Sequence, residues 1–397
     1  MSSKAPLYWM ALGAFAVGTE SFMIAAVLPD IAADLAVSGQ AAGQLVTIFA
    51  LTYALTSPVL TVATGAVSRR LLLVGTMAAF AVANLVAAVV PSFAGLMAAR
   101  VLLALGAGLF VPNASAVAGS LVPPAERGRA LSIVTSGLSL AIVFGVPLGA
   151  VVGASLGWRA TFVGVAALAV VATIGLLVGL PRSLGTAAPV VGLGARLVAF
   201  KNPAVRRPLA VMLLWAIGPF TVYPYLAILV RDVTGLDGAA IGIVLLVWGF
   251  SAFVGLTVGG RLTDRVGPGR VVRASLPLLA LALAALSVAA HALHGVAALA
   301  LLLAGIVVWG FTAWSFFPGQ QARLIAIAGV ANAPAILSAN ASVHYFGFSL
   351  GAALGSAVIA WGSIREVGWV GAVCVALAVI LELSAARDRC PALAPAA

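Results

Sequence analysis

Twelve stretches of mostly apolar residues run along the chain, separated by polar breaks that are short with one exception. They cover approximately 7–29, 41–64, 71–90, 94–118, 130–155, 159–180, 208–230, 239–260, 271–292, 296–318, 336–361 and 369–385. Each is close to the roughly 17–25 residues with which an α-helix crosses the hydrocarbon core of a bilayer. The pattern predicts an all-α polytopic membrane protein with twelve transmembrane helices. The long break runs from about Pro181 to Arg207 and is rich in Gly, Pro, Ala and basic residues. It divides the chain into a six-helix bundle over 1–180, a linker over 181–207 and a second six-helix bundle over 208–397. No cleavable leader is expected, because the first apolar stretch ends at Pro29 without a small-residue cleavage site.

Composition agrees with this reading. Charged residues are 8% of the chain and hydrophobic ones 63%, where a soluble domain carries roughly 25% charged residues. Too few polar side chains exist to cover a surface in water, so lipid must cover it. The net charge of +11 is not a nucleic-acid footprint, because the basic residues fall at the ends of the apolar stretches. With the N-terminus inside, seventeen of the 21 Lys and Arg lie on one side, three (Arg159, Arg231 and Arg365) on the other, and Arg100 within a span. Positive charge is retained in the cytoplasm, so both termini are expected there, in a bacterial inner membrane. Cys374 and Cys390 fit neither a disulfide framework nor a metal site.

The two halves carry similar signals in the same order. Span four holds Phe110-Val111-Pro112-Asn113 and span ten Phe316-Phe317-Pro318-Gly319. Span five holds Gly145-Val146-Pro147-Leu148-Gly149 and span eleven Gly351-Ala352-Ala353-Leu354-Gly355. Parallel repeats of this kind place a binding site near the membrane midplane, between the halves.

Few residues could carry chemistry there. Glu20 sits near the middle of span one, where a charge costs about 2.5–3.5 kcal/mol even on mild insertion scales. A carboxyl so placed can hold a proton, and its occupancy can follow which side of the membrane is open. A protonated Glu20 bonded to a neighbouring helix is the purely structural alternative. Arg100 stays charged and must face the interior, pairing with a carboxylate or with backbone carbonyls. Gly145, Gly149 and Gly153, with Gly157, recur every fourth residue on span five, and Pro147 interrupts the helix among them. They serve helix packing alone or, more sharply, a close, bent contact between the halves that seals a cavity, and the two readings are compatible. Gly260, Asp264, Arg265 and Gly267 lie in a connection between spans eight and nine, where the glycines permit a tight turn and Asp264 can accept from helix N-terminal amides. Thr47, Tyr53, Asn113, Thr221, Tyr223, Asn340 and His344 are polar groups inside spans and so candidates for lining a cavity. Glu382, near the end of span twelve, is expected to reach the membrane interface.

Other motifs carry no chemistry. Gly347-Phe348-Ser349-Leu350-Gly351 fits a hydrolase pattern that requires a strand–turn–helix, yet it lies within an apolar span. Asn113-Ala114-Ser115 and Asn340-Ala341-Ser342 are buried in spans and cannot serve as glycosylation acceptors. There is no phosphate-binding loop. No cofactor or metal is expected, and an intramembrane enzyme lacks a catalytic constellation.

Several of these motifs resemble the major facilitator superfamily, and within it the drug/proton antiporters similar to sugar-efflux permeases and chloramphenicol exporters. Gly260 to Arg270 resembles the superfamily's cytoplasmic loop motif, with Pro268-Gly269 in place of the usual basic pair. In the first half the corresponding Thr64-Gly65-Ala66-Val67-Ser68-Arg69-Arg70 lacks the acidic residue and the second Gly. Arg100 to Gly106 resembles the span-four motif linked to proton coupling, and Gly145 to Gly149 the span-five motif of exporters. Gly18 to Asp34 and Gly157-Trp158-Arg159-Ala160-Thr161-Phe162 resemble the same group. The resemblance implies a monomeric, proton-coupled exporter working by alternating access between two rocking halves. Glu20 and Arg100 would couple protons, and the substrate would be a drug-like compound or a sugar. An uncoupled facilitator or an importer is the alternative within the same fold.

Overall fold

A computed structural model describes residues 5–123, 126–182, 184, 203–329 and 333–387. The central linker over 185–202 lies outside the described residues, as do Lys4, Lys201 and Cys390. Among the described residues, twelve helices are long and apolar enough to cross a membrane. They are α1 (Ala5–Asp34), α2 (Gly39–Ala63), α3 (Arg69–Val89), α4 (Phe93–Ser120), α5 (Arg127–Leu156) and α6 (Trp158–Gly179) in the first half. The second half holds α7 (Pro203–Val222, continued by the 3-10 turn Tyr223–Tyr225 into Leu226–Thr234), α8 (Gly238–Val266), α9 (Pro268–Ala292), α10 (Gly295–Ala328), α11 (Ala333–Trp361) and α12 (Val367–Arg387). The expected spans are all present. α7 begins at Pro203 rather than at 208, because Pro203 and Pro208 both fit within its first turns.

Helices are the only open solution in lipid, since every backbone group must find its partner within the segment. Their ends are marked by the sequence. Ser38, Ser68 and Ser92 precede α2, α3 and α4, and each hydroxyl accepts from an amide of the first turn. Inside the spans, Ser21, Thr56, Thr76 and Thr257 donate to carbonyls four residues back, which lets them sit in an apolar setting. α5 is interrupted. Pro147 has no amide hydrogen, and one turn before it the helix widens into a π-turn over Ala141–Gly145.

Packing repeats between the halves. In the first, α1 packs on α5 and α6, α2 on α4, and α3 on α4 and α6. In the second, α7 packs on α11 and α12, α8 on α10, and α9 on α10 and α12. Each pair recurs six helices later.

The halves meet along three seams: α2 with α11, α5 with α8, and α1 with α7. One end of the molecule gathers the basic residues and is called the basic face; the other is the far face. Contacts run from the far face to the middle. On the α2–α11 seam, Ser356 donates to the Gln40 carbonyl (3.0 Å), Ser349 to the Thr47 carbonyl (3.1 Å), and Tyr345 stacks on Tyr53 (3.7 Å between ring centres). On the second seam, α8 contacts Ala141–Leu156 of α5, with Gly242 beside Ala150 and Gly249 against Ile142 and Val143. The remaining stretch Arg127–Leu140 is not part of the main contact with α8, and its Ser132, Thr135 and Ser136 are exposed. The described conformation is therefore closed at the far face and open at the basic face.

Two expectations about the glycine motifs need correction. Gly145, Gly149 and Gly153 face α1 of their own half, against Thr19, Met23 and Val27. A β-carbon at Gly149 would stand 2.9 Å from that of Met23. The stripe lets α5 approach α1, while the contact between halves uses another face of α5. The Gly260–Gly267 segment is not a loop. α8 continues to Val266, and Gly267 alone, at φ 91°, turns the chain into Pro268 of α9. Asp264 and Arg265 lie exposed on the last helical turn, and neither side chain makes a hydrogen bond or ion pair with another described residue.

Candidate functional site

The centre of the first half holds an ion pair. Glu20, midway along α1, accepts from the Arg100 guanidinium of α4, and both side chains are fully buried. Arg100 also donates to the Leu45 carbonyl of α2 at 3.1 Å and lies 4.3 Å from the centre of the Phe49 ring. Three helices thus converge on one cation. The expected pairing of Arg100 with a carboxylate or a carbonyl is met by both kinds of partner. One Glu20 oxygen and one Arg100 nitrogen have no partner among the described residues. A buried charge is tolerated here because an opposite charge, a carbonyl and a ring face replace water.

Across the seam the second half presents aromatic rings. Phe22 of α1 contacts Phe220 of α7 (6.4 Å between ring centres), which stacks on Phe348 of α11 (3.3 Å). Phe348 meets His344 (4.1 Å), and His344 meets Phe317 of α10 (5.3 Å). Phe317 contacts Trp314 (6.2 Å), and Trp314 returns to Phe22 (6.3 Å). The six rings form a closed circuit from four helices of both halves. Trp314 and Phe317 are its partly exposed members. Tyr223 extends it to Trp248 and Trp309, and its hydroxyl donates to the Phe22 carbonyl at 3.0 Å, across the α1–α7 seam. The indole nitrogens of Trp215, Trp248 and Trp309, the His344 Nε2 and the Asn340 Oδ1 are buried without a partner among the described residues. The surroundings offer π-faces and neutral hydrogen-bonding groups.

The other candidates are placed differently. Tyr53 lies at the central stack with Tyr345, and the Thr47 hydroxyl is buried beside the α2–α11 seam without a partner. Thr221 is turned to its own helix, donating to the Ile217 carbonyl at 2.9 Å. Asn113 is committed elsewhere. Its oxygen accepts from Arg69 of α3 and its nitrogen donates to the Leu109 carbonyl, so it ties helix ends near the basic face. Glu382 does not reach the interface. It is buried and paired with Arg323 of α10 at 2.7 Å, because two oppositely charged groups on adjacent helices satisfy one another. The Ser349 segment is helical, as its rejection as a nucleophile requires.

Phe22, Trp215, Phe220, Trp248, Trp309, Trp314, Phe317 and Phe348 are not among the site residues expected from the sequence. One signal was available. Tryptophan in spans normally gathers at the two interfaces, yet Trp215, Trp248, Trp309 and Trp314 fall within the spans of the second half. At the far face, a separate cavity of about 610 Å³ lies between the halves, with Asp30, Asp34, Arg231 and Asp237 in its wall.

Comparison with known proteins agrees with this architecture. The family model for the Major Facilitator Superfamily matches residues 10–317 and again 234–391. A chloramphenicol resistance protein of Streptomyces lividans is 40% identical over 279 residues, 69% of this chain and 70% of its own length. A chloramphenicol efflux pump of Mycobacterium tuberculosis is 32% identical over 321 residues, 81% of this chain and 78% of its own. Among solved structures, a bacterial homolog of the human lysosomal transporter Spinster, in an inward-facing and occupied conformation, aligns with a TM-score of 0.75 at 17% identity, covering 98% of both chains. Twelve apolar helices, a packing scheme repeated six helices later and a family match over most of the length lead to one conclusion: the chain belongs to the Major Facilitator Superfamily, a family of membrane transporters and not of enzymes.

Proposed function

We propose that this transporter exports a small, mostly uncharged, ring-bearing compound such as an antibiotic of the chloramphenicol type, driven by protons entering the cell. The observation that carries the reading is the buried Glu20–Arg100 pair, two residues along α1 from Phe22, which joins an aromatic circuit at the meeting of the two halves. The basic face is taken as cytoplasmic, in keeping with the retention of positive charge there. Both termini then lie in the cytoplasm of a bacterial inner membrane, and the conformation described is the one that would load substrate from inside. The aromatic rings supply dispersion and stacking contact, and the unpartnered indole and imidazole nitrogens supply orientation. Glu20 would take up a proton when the far face is open, loosening its hold on Arg100. It would release that proton in the inward-open state, when Arg100 again draws the carboxylate. The two protonation states bias two conformations, which is the requirement for coupling. The halves 1–180 and 208–397 would rock about the central rings as units. The named relatives favour a drug over a sugar as substrate.

Arg100 holds the Leu45 carbonyl as well as Glu20, and this favours a second reading in which the pair is a fixed clamp and transport is uncoupled. Inverted membrane vesicles with an imposed pH gradient separate the two. Chloramphenicol uptake should follow the gradient in the unmodified protein and should lose that dependence in Glu20→Gln while residual downhill flux remains. Gradient-driven uptake at the full rate in the variant would remove Glu20 from the mechanism.

A further inference from the structure

A groove of about 1120 Å³ lies at the edge of the α5–α8 seam. Leu140, Val143 and Phe144 of α5 form its first-half wall. Leu246, Phe250 and Val254 of α8 face them, with Leu278 of α9 and Val308 and Phe311 of α10 alongside. Phe144 and Phe250 are 53% and 58% exposed, so the groove opens outward. All these residues lie near the middle of their helices, at the depth where the only surroundings are lipid tails.

The chemistry of the walls is selective. The hydroxyl-bearing residues that reach the groove are Ser251 and Thr312. Their hydroxyls donate to the Val247 and Val308 carbonyls of their own helices at 2.8 and 2.7 Å. Neither needs a further partner, and among the described residues no charged group borders the groove. A ligand with polar atoms would have to strip them of water with no compensation, so the walls favour pure hydrocarbon. On its inner side Trp248 is buried against Tyr223 and Trp309, so α8 itself separates the groove from the central rings.

The position matters as much as the chemistry. The groove lies alongside the close crossing of Gly249 with Ile142 and Val143, and Val143 belongs to both the contact and the groove wall. Its walls belong to different halves, so a movement of α5 against α8 would change its shape. We infer that this groove is a binding site for one acyl chain of a membrane phospholipid, seated between the halves in the conformation open at the basic face. This site is distinct from the surrounding lipid layer because it is concave and shared by both halves. It is independent of the substrate reading.

The test is photolabelling in vesicles containing a phosphatidylethanolamine with a diazirine at mid-chain, followed by peptide mapping. The exposed apolar surface of α6, which carries Val170, Val171, Ile174 and Val178, reports ordinary lipid contact in the same molecule. Peptides containing Leu140–Phe144 and Leu246–Val254 should carry several-fold more label than that of α6. Val308→Trp, a filling change at a partly exposed position, should bring groove labelling down to the α6 level and leave α6 labelling unchanged. Label spread evenly over all exposed spans would overturn the inference. So would undiminished groove labelling in Val308→Trp. Loss of groove labelling with excess chloramphenicol would overturn it as well, by making the groove a substrate site.

Discussion

Removing Glu20 and Arg100 singly and together is the sharpest test of how the centre is held. The two side chains have no exposure to solvent. Glu20→Leu leaves the guanidinium with the Leu45 carbonyl and the Phe49 face only, and stranding a buried charge costs about 3–5 kcal/mol. Arg100→Met leaves a carboxyl that can neutralise itself by taking up a proton. Its cost is that of a buried polar group without a partner, about 1–3 kcal/mol. Independent effects would add to roughly 6 kcal/mol. The double variant replaces the pair by apolar side chains of similar size, a change that is often neutral or stabilising, so its cost should stay within about 1 kcal/mol of the unmodified protein. The coupling between the sites is then several kcal/mol. Equilibrium unfolding in detergent micelles, followed by tryptophan fluorescence, measures all three variants. A double variant destabilised by the sum of the single effects would refute the reasoning, because it would mean the two groups do not depend on each other.

Three further changes probe other parts of the structure. A side chain at Gly249 meets the backbone of Ile142 and Val143, which cannot move aside; Gly249→Leu should therefore cost the far-closed state about 1–3 kcal/mol and raise maleimide labelling, from the far face, of a cysteine placed at Ala150, which is buried against Gly242. Asn113→Ala strands the buried Arg69 and should lower unfolding stability by about 1–3 kcal/mol while leaving the KM for chloramphenicol unchanged, since Asn113 stands apart from the ring circuit. Trp314→Ala removes one partly exposed ring of that circuit; a substrate stacked on it would lose about 0.5–1.5 kcal/mol of contact and KM should rise roughly 2- to 12-fold in the vesicle assay, while the lost contacts to Phe22 and Phe317 lower folding stability as well.

The fold was legible because span length, apolar content and Lys/Arg bias are set by the bilayer itself. What faces what was not. In a soluble helix the buried side is the apolar side, but Ala, Leu and Val suit lipid and protein interior equally well, so the stripe that betrays orientation is absent. The glycine stripe of α5 announced a close neighbour but not its identity, and the neighbour is α1. Asn113 and Glu382 read as lone polar groups because their partners, Arg69 and Arg323, lie on other helices. Glu20 and Arg100 were legible for the opposite reason: two lone charges deep in spans have few partners to choose from. The ring circuit was hidden because phenylalanine in an apolar span carries no signal of its own, and only the depth of the tryptophans set it apart.

Gly157, at φ 85°, and Gly267, at φ 91°, each join two helices through a single residue. One ties α5 to α6 and the other α8 to α9, and α5 and α8 are the pair that meets at the seam. Such joints have no slack. A displacement of α5 or α8 is handed to its outer neighbour at once, as with links of a chain pulled taut. Transmission depends on the shortness of the joints as well as on the packing between helices. Inserting a few flexible residues after Gly157 or Gly267 would leave every contact of the closed seam in place, yet let the seam helices move without their outer neighbours. Such an insertion should lower transport without weakening the closed seam, which gives the length of these joints, apart from their composition, a role of its own.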